Sequence, residues 1–546
     1  MKEPVSRRGD LDTALVFALA GFASLLAFLF YLQRADVLLY GDAVAHINIS
    51  RKVFDSQTPG LLQLGTVWLP LPHLLMLPFL LSNWMWKTGI GGSVPSMLAY
   101  VFLVSGVFRL VRGALPRNAD GSELANGSAW MAAAIVGLNP NLLYLQSTAM
   151  TEVLYLTFFL WTIVFFAEFT RALGDEDGLG VSARSKLIRC AWCVAAAEWT
   201  RYDGWFLAAI VSLLALGILY RFRNSAGAKF LALKFLLVVC GPAILWLAYN
   251  AVVYRNPIEF ATGPYSAKAI ERKTAVPGYP PHPGTKDPPI AALYFFKSAQ
   301  VNMAEGGWER IWVVLLFCGA VICARSSRGL RPLLLVLVPL PFYMLSVAYS
   351  GVPVFVPPWW PFSYYNVRYG VQLVPAFAVM SAIVMAVLLG WVKSRRARVA
   401  LGTCTALLIL CNYISVWNRG PVCFREAWVN SRTRLALESE LARNLQLLTP
   451  DNTMFLMYLG DHVGALQGAG IDLKRVIHEG NHRPWIKPTD PDGLWERTLA
   501  SPREHVRYVI SFEGDDVDRL VNRDGLTLKW VVHTQGQPTA RVWDTQ

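Results

Sequence analysis

What most constrains this chain is a succession of long apolar runs almost free of charge. The first spans Thr13 to Leu32. Others follow near 94–111, 129–145, 152–169, 187–200, 205–220, 229–253, 310–324, 332–349, 369–392 and 399–417. A bilayer core takes roughly 20 such residues per helix. The pattern predicts a polytopic α-helical membrane protein with about eleven transmembrane helices. A further apolar stretch, 70–86, is broken by Pro70, Pro72 and Pro78. That suits a re-entrant or interfacial segment better than a crossing. Composition agrees: 54% of the 546 residues are hydrophobic and 16% charged, against roughly 25% charged in soluble proteins. Disordered, collagen-like, disulfide-stapled and ordinary cytosolic classes are thereby excluded.

The 50 Lys and Arg exceed the 37 Asp and Glu, for a net charge of +13. Their placement argues against nucleic acid as a partner, because they gather in short clusters between apolar runs. With the N-terminus (Lys2, Arg7, Arg8) in the cytoplasm, five clusters fall on the same side. These are Arg109/Arg112/Arg117, Arg184/Lys186/Arg189, Arg221/Arg223/Lys229, Arg325/Arg328/Arg331 and Lys393/Arg395/Arg396/Arg398. The reading is a multi-pass plasma (inner) membrane protein with its C-terminus outside. The outer face then receives a long first loop (34–93), turns at 147–152 and 200–205, the loop 254–309, the stretch 350–369 and the tail. Pro and Gly around Val276–Pro289 predict mobility in the loop 254–309.

The predicted division is a transmembrane domain, 1–420, and a soluble α/β extracytoplasmic domain, 421–546. In the tail Met454–Leu459, Val506–Ser511, Leu526–Val532 and Thr539–Trp543 read as strands. Asp461–Gly468 and Asp492–Leu499 read as short helices. Gly460-Asp461-His462 reads as a helix start, with Asp461 more a cap than part of an anion site. Seven of the eight Cys lie in or beside apolar runs and pack as small hydrophobes. Cys190-Ala-Trp-Cys193 has no second Cys/His pair to support a metal. Cys423 falls in the tail.

Ionisable groups near a bilayer are costly and therefore informative. Here they concentrate on the outer side. Asp42 and His46 are four residues apart, so a helix puts them on one face, with Asn48 and Arg51 nearby and apolar residues between. That pattern predicts an amphipathic interfacial helix. Trp68-Leu-Pro-Leu-Pro-His73 follows. Glu152 precedes a strongly apolar helix, as a helix-dipole carboxylate or a hydrogen-bond acceptor. Arg201 and Asp203 lie in Thr200-Arg-Tyr-Asp-Gly204, as an ion pair or a site. Arg368 and Tyr369 open a late helix, and a guanidinium at that depth is suited to a lipid phosphate.

In this order, these segments resemble the GT-C superfamily of polytopic glycosyltransferases. The resemblance is closest to the bacterial branch related to protein O-mannosyltransferases and lipid A aminoarabinose transferase, and covers about 13–420 in layout. Asp42 matches that family's first-loop Asp, and Trp68–His73 its Pro-Pro-Leu segment. Asn139-Pro140 through Glu152 is similar to its second outer loop with a Glu. Thr200–Gly204 resembles its Thr-Arg-x-(Glu/Asp)-Gly turn, and Arg368-Tyr369 its Arg-Tyr pair. Two features depart from the pattern. Asp42 is followed by Ala43 where many relatives have Glu, and the Lys that often precedes the Pro pair is absent.

The resemblance implies transfer of a hexosyl or pentosyl unit from a polyprenyl-phosphate sugar to a glycan, lipid or protein acceptor at the outer face. Asp42 would serve as general base, with His46 orienting it or touching a phosphate oxygen. Arg368 and Arg201 would face the leaving phosphate. Glu152, Asp203, Tyr369, Trp68, His73 and Tyr265 would hold sugar or lipid. No ligand cluster argues for a metal, and a divalent ion bridging Asp42 and the phosphate stays an open variant. The alternative is a transporter or flippase, which would carry its polar residues at mid-bilayer depth on broken helices.

Overall fold

The computed structural model describes residues 7–115, 119–175, 178–225, 227–278, 281–326, 329–448 and 452–546. Lys2, Arg117, Arg328 and part of Val276–Pro289 lie outside these, as do the side chains of Arg7 and Arg8. The chain is a polytopic helical membrane protein with a small C-terminal α/β domain. Eight described helical stretches are long and apolar enough to cross a bilayer. They begin with Leu11–Gln33 and end with Arg395–Gln446, which a Gly420-Pro421 break divides.

Three of the eleven expected spans fall short of that measure: 129–145, 187–200 and 310–324. The first is interrupted for a visible reason. Its helix ends at Gly137, and Asn139 caps a new short helix, Pro140–Leu145, by accepting from the backbone N–H groups of Asn141 (3.0 Å) and Leu142 (3.1 Å). The proline-broken stretch 70–86 forms the eleven-residue helix Pro70–Leu80 and the turn Asn83–Lys87, and the first is too short to span.

On the side where Glu152 begins its helix, the connections fold into a layer of their own. The first loop supplies the helix Gly41–Lys52. It is not the half-solvated interfacial helix that its alternation predicts. Val44, His46, Ile47, Asn48, Ser50 and Arg51 are all buried, because the helix lies between Pro70–Leu80 and the tail domain. The loop 254–309 contains the helices Ala267–Thr274 and Pro288–Met303. The second starts where Asp287 caps Ile290 (3.1 Å) ahead of two prolines.

The tail domain carries a five-stranded sheet: β1 (Phe455–Met457), β2 (Val476–Ile477), β3 (Tyr508–Phe512), β4 (Thr527–Val532) and β5 (Ala540–Asp544). Its order is β2-β1-β3-β5-β4, with β1 parallel to β2 and β3, and β5 antiparallel to β3 and β4. Alternation along the strands sorts the side chains to two faces. Phe455, Met457, Tyr508, Ile510 and Phe512 join the core shared with the helical part. Leu456, Ile477 and Val509 pack on Trp495, Leu499 and Val517 instead. All four expected strands and both short helices are present. β2 is too short for its two residues to show a period.

The expected boundary at 421 falls one residue before the helix Val422–Gln446. That helix is not part of the tail alone. Its first turns bury Val422, Cys423 and Glu426 against the membrane helices. Cys423, expected in a soluble tail, is fully buried, with its backbone N–H on Asn141 (2.9 Å) and its Sγ on Asn302 (3.1 Å). All eight cysteines are free, Cys190 and Cys193 included.

Candidate functional site

Three helix starts and one turn converge where the connections on the Glu152 side meet the helical array. Asp42 stands in the first turn of Gly41–Lys52, Glu152 at the first residue of Glu152–Asp175, and Asp203 at the first residue of Asp203–Arg221. Carboxylates favour that end of a helix. Arg368 stands in the 3₁₀ turn Val367–Leu373, entered through Asn366 in a left-handed conformation (φ 53°) that Asn tolerates. Two glycines let the backbones close up. A Cβ at Gly204 would strike the backbone of Ala197, and one at Gly370 the backbone of Ser298.

Arg368 is the hub. Its Nη2 donates to Asp42 Oδ2 (2.6 Å), its Nε to Glu152 Oε1 (3.2 Å) and its Nη1 to Glu426 Oε1 (3.0 Å). Glu426 Oε2 also accepts from the Arg368 backbone N–H (3.0 Å) and the Tyr40 hydroxyl (3.1 Å). Arg201 shares the network, with Nη1 on Glu152 Oε1 (3.2 Å) and Thr151 Oγ1 (3.1 Å), Nε on Asp203 Oδ2 (3.4 Å) and Nη2 on Tyr343 (3.1 Å). Tyr343 in turn donates to Asp203 (2.7 Å). The Tyr369 ring lies beside both guanidiniums, at 5.0 and 5.1 Å.

The carboxylates differ in access. The side chains of Glu152 and Glu426 are 1% exposed and that of Asp203 8%, whereas Asp42 is 45% exposed. Asp42 thus presents its carboxylate to a cavity of about 880 Å³. His46, Trp68, Glu152, Arg201, Asp203, Arg368 and Tyr369 also line it. Glu152 Oε2 is buried and has no partner among the described residues.

His46 turns Nδ1 back to His73 Nε2 (2.9 Å) and packs against Trp68 (4.6 Å between rings). Burial, then the nearby charges of Arg201 and Arg368, push its imidazole down to about 3, so it is neutral at ordinary pH.

Eight of the ten residues singled out in the sequence line this one cavity. His73 and Tyr265 do not. His73 is fully buried behind His46, and Tyr265 is exposed with its hydroxyl on Tyr458 (3.2 Å). The sequence reading also missed residues. Glu426 completes the cradle of Arg368 from the far side. Lys268 and Arg272, on Ala267–Thr274, line the cavity as exposed cations. Glu426 did leave a signal, since it shares a helix face with the apolar Val422, Cys423 and Ala427, where a lone carboxylate needs a partner. Among the described residues no group of three or more His, Cys, Asp or Glu stands together to hold a metal. The carboxylates are separated by the guanidiniums they share.

No family model and no curated protein matches the chain. Solved structures do. ArnT from Cupriavidus metallidurans in the apo state matches with a TM-score of 0.52 at 11% identity, over 95% of this chain and 97% of that one. The structure of ArnT from Cupriavidus metallidurans bound to undecaprenyl phosphate matches with a TM-score of 0.51 at 14% identity, over the same shares of the two chains. At such identities the likeness concerns the fold, and it extends over nearly the whole of both chains. The helical array, the layer of connections and the C-terminal domain together share the fold of that ArnT structure.

Proposed function

We propose that the chain is a membrane glycosyltransferase that takes a sugar from a polyprenyl-phosphate donor and passes it to an acceptor hydroxyl at the outer face. The observation that carries this reading is the difference in access within one network: Asp42 opens to the cavity while Glu152, Asp203 and Glu426 are sealed. The structure of ArnT with undecaprenyl phosphate supports a lipid-phosphate donor. In the proposed step the acceptor oxygen attacks the anomeric carbon and the bond from that carbon to the phosphate oxygen breaks. The acceptor proton passes to Asp42, and the polyprenyl phosphate leaves with the electron pair.

Arg368 and Arg201 carry the positive charge that faces the growing phosphate charge. Lys268 and Arg272, exposed on the cavity wall, take the place of the Lys missing before Pro70. Glu152, sealed beneath Arg368 and Arg201, holds both guanidiniums in place, and Trp68 and Tyr369 offer ring faces to sugar or lipid. His46 supplies a neutral hydrogen-bonding edge held by His73. The acceptor is a glycan, a lipid or a protein, and the transferred unit a hexose or pentose. The site lies on the extracytoplasmic side of a plasma membrane whose lipids are the protein's solvent. A transporter reading is disfavoured because the ionised groups sit at the ends of the helices rather than at mid-span.

The test is release of free polyprenyl phosphate from a labelled polyprenyl-phosphate sugar by the purified protein. Asp42→Asn should insert and fold normally yet lose about 10²–10⁴-fold in rate. Full activity in that variant removes the base role.

A further inference from the structure

Asp42 stands in the first turn of a helix whose own sequence does little to fix where it begins. Gly41 opens it, and Tyr40 in the capping position makes no side-chain bond to the helix. A Ser, Thr, Asp or Asn there would. Just before it, Leu38 and Leu39 close the 3₁₀ turn Asp36–Leu38, and a carbonyl taken out of water in such a place needs a donor.

The donor comes from almost four hundred residues away. Arg434, on the helix Val422–Gln446, gives Nη2 to the carbonyls of both Leu38 (3.1 Å) and Leu39 (3.0 Å). One planar group thus fixes two successive peptide units, and with them the direction in which the chain enters Gly41. Nη1 of the same guanidinium pairs with Glu438 Oε2 (2.6 Å), and both side chains are nearly sealed. The sheet domain closes over that pair. A Cβ at Gly464 would strike Glu438 Oε2, and His462, stacked on Phe512 (4.4 Å between rings), brings Nδ1 to 3.9 Å from Glu438 Oε1. Two turns earlier the same helix holds the Tyr40 hydroxyl, between the Cys423 carbonyl (2.8 Å) and Glu426 (3.1 Å). The far end of Gly41–Lys52 is gripped as well: Asp55, bonded to Arg51 (2.7 Å), accepts from the backbone N–H groups of Leu473 (3.2 Å) and Lys474 (3.0 Å).

We infer that Arg434 is a positioning residue for Asp42. Arg368 holds the carboxylate, and Arg434, braced by Glu438 and the sheet domain, holds the backbone that carries it. The C-terminal domain thereby acts on the reaction without touching substrate. The inference rests on the reading of Asp42 as the base.

The experiment uses the full chain in detergent. Its readouts are amide hydrogen exchange over residues 36–45, the unfolding midpoint, and release of undecaprenyl phosphate from undecaprenyl-phosphate glucose and undecaprenyl-phosphate arabinose. Arg434→Lys keeps a cation beside Glu438 but loses the fork that spans two carbonyls. It should keep a midpoint near the parent's, raise exchange over 36–45 about tenfold and lower the maximal rate about 10–10²-fold. The donor concentration for half-maximal rate should stay as it was. An arginine that only stabilises the fold would leave the rate alone wherever the midpoint is kept. Arg434→Gln, which removes the cation too, should widen both effects. Arg432→Gln, on the exposed side of the same helix, should cause neither. Parental exchange over 36–45 in Arg434→Gln overturns the pin, and raised exchange with a parental rate overturns its part in the reaction. A parent protein that consumes neither donor counts against the transfer reading, and exchange then still decides whether Arg434 holds the segment.

Discussion

The two ends of the helix Glu152–Asp175 solve opposite problems with the same residue types. At one end two arginines, Arg201 and Arg368, are shared among Asp42, Glu152, Asp203 and Glu426. At the other, a cavity of about 620 Å³ is bordered by Arg109, Arg112, Arg171 and Lys186, with Glu168 the one carboxylate among its described lining residues. In the first, nearly every charged atom is buried and answered, so the geometry is fixed before substrate arrives, and only Asp42 is left open. In the second, the pair of Arg109 with Glu168 is open to solvent, with Arg109 43% exposed. A buried, saturated network fixes its groups, whereas a half-exposed pair adds little to the fold. The comparison also separates what substitutions should do at each end.

The largest difference is expected on removing the hub. Arg368→Ala leaves Glu152 and Glu426 buried without their shared cation, and breaking a buried pair in this way costs about 3–5 kcal/mol. Its counterpart Arg109→Ala breaks a half-exposed pair, worth about 1 kcal/mol or less. Unfolding midpoints of the two variants in detergent should therefore differ widely, and transfer should vanish in the first alone. Equal shifts would break the contrast. Glu426→Gln sharpens it at intermediate size. It keeps the shape of the side chain and removes one charge-assisted partner of Arg368, for about 1.5–3 kcal/mol. Because Glu426 faces away from the cavity, that loss should appear as a fall in maximal rate with little change in the donor concentration required.

Those two variants also mark where the sequence stopped being legible. Arg368 could be read because the charge asymmetry of the rest of the chain predicts the start of its apolar helix to be outside, where an arginine is unexpected. Glu426 was harder, since it lies beyond the last apolar run in a helix whose polar face looks soluble, and only the buried face reveals that it returns to the membrane core. Local periodicity carried the helical array and the four longer strands of the tail, while the polar motifs and the resemblance they carry pointed to eight residues of the cavity. It failed where tertiary contacts decide. Gly41–Lys52 alternates like an interfacial helix but is buried by the tail domain, over four hundred residues away, through contacts such as Asn48 to Gln467 (2.8 Å). His73 shared a motif with Trp68, yet the first turn of Pro70–Leu80 directs it behind His46 rather than into the cavity. The second cavity was visible in the sequence only as scattered topogenic charges, because its walls meet in space and not in order.

The smallest effect near neutral pH is the most specific to one end. Burial and two arginines hold His46 neutral down to about pH 3 in the folded chain, while an unfolded histidine protonates near pH 6.5. Between those values the unfolded state binds a proton that the folded state refuses, so stability falls as pH drops from about 6.5 toward 3 and is undiminished above it. Removing the imidazole by His46→Gln should flatten that slope while changing little at pH 7. His462 and His478 in the tail are pushed in the same direction by burial, so the slope should shrink rather than disappear. At the other end no histidine is among the described lining residues, and Lys186→Gln should leave the slope as it is. Unfolding midpoints from pH 4 to 8 for the three proteins decide the matter. If His46→Gln and Lys186→Gln follow the same pH profile as the parent, the neutral imidazole does not belong to the saturated network at the Asp42 end.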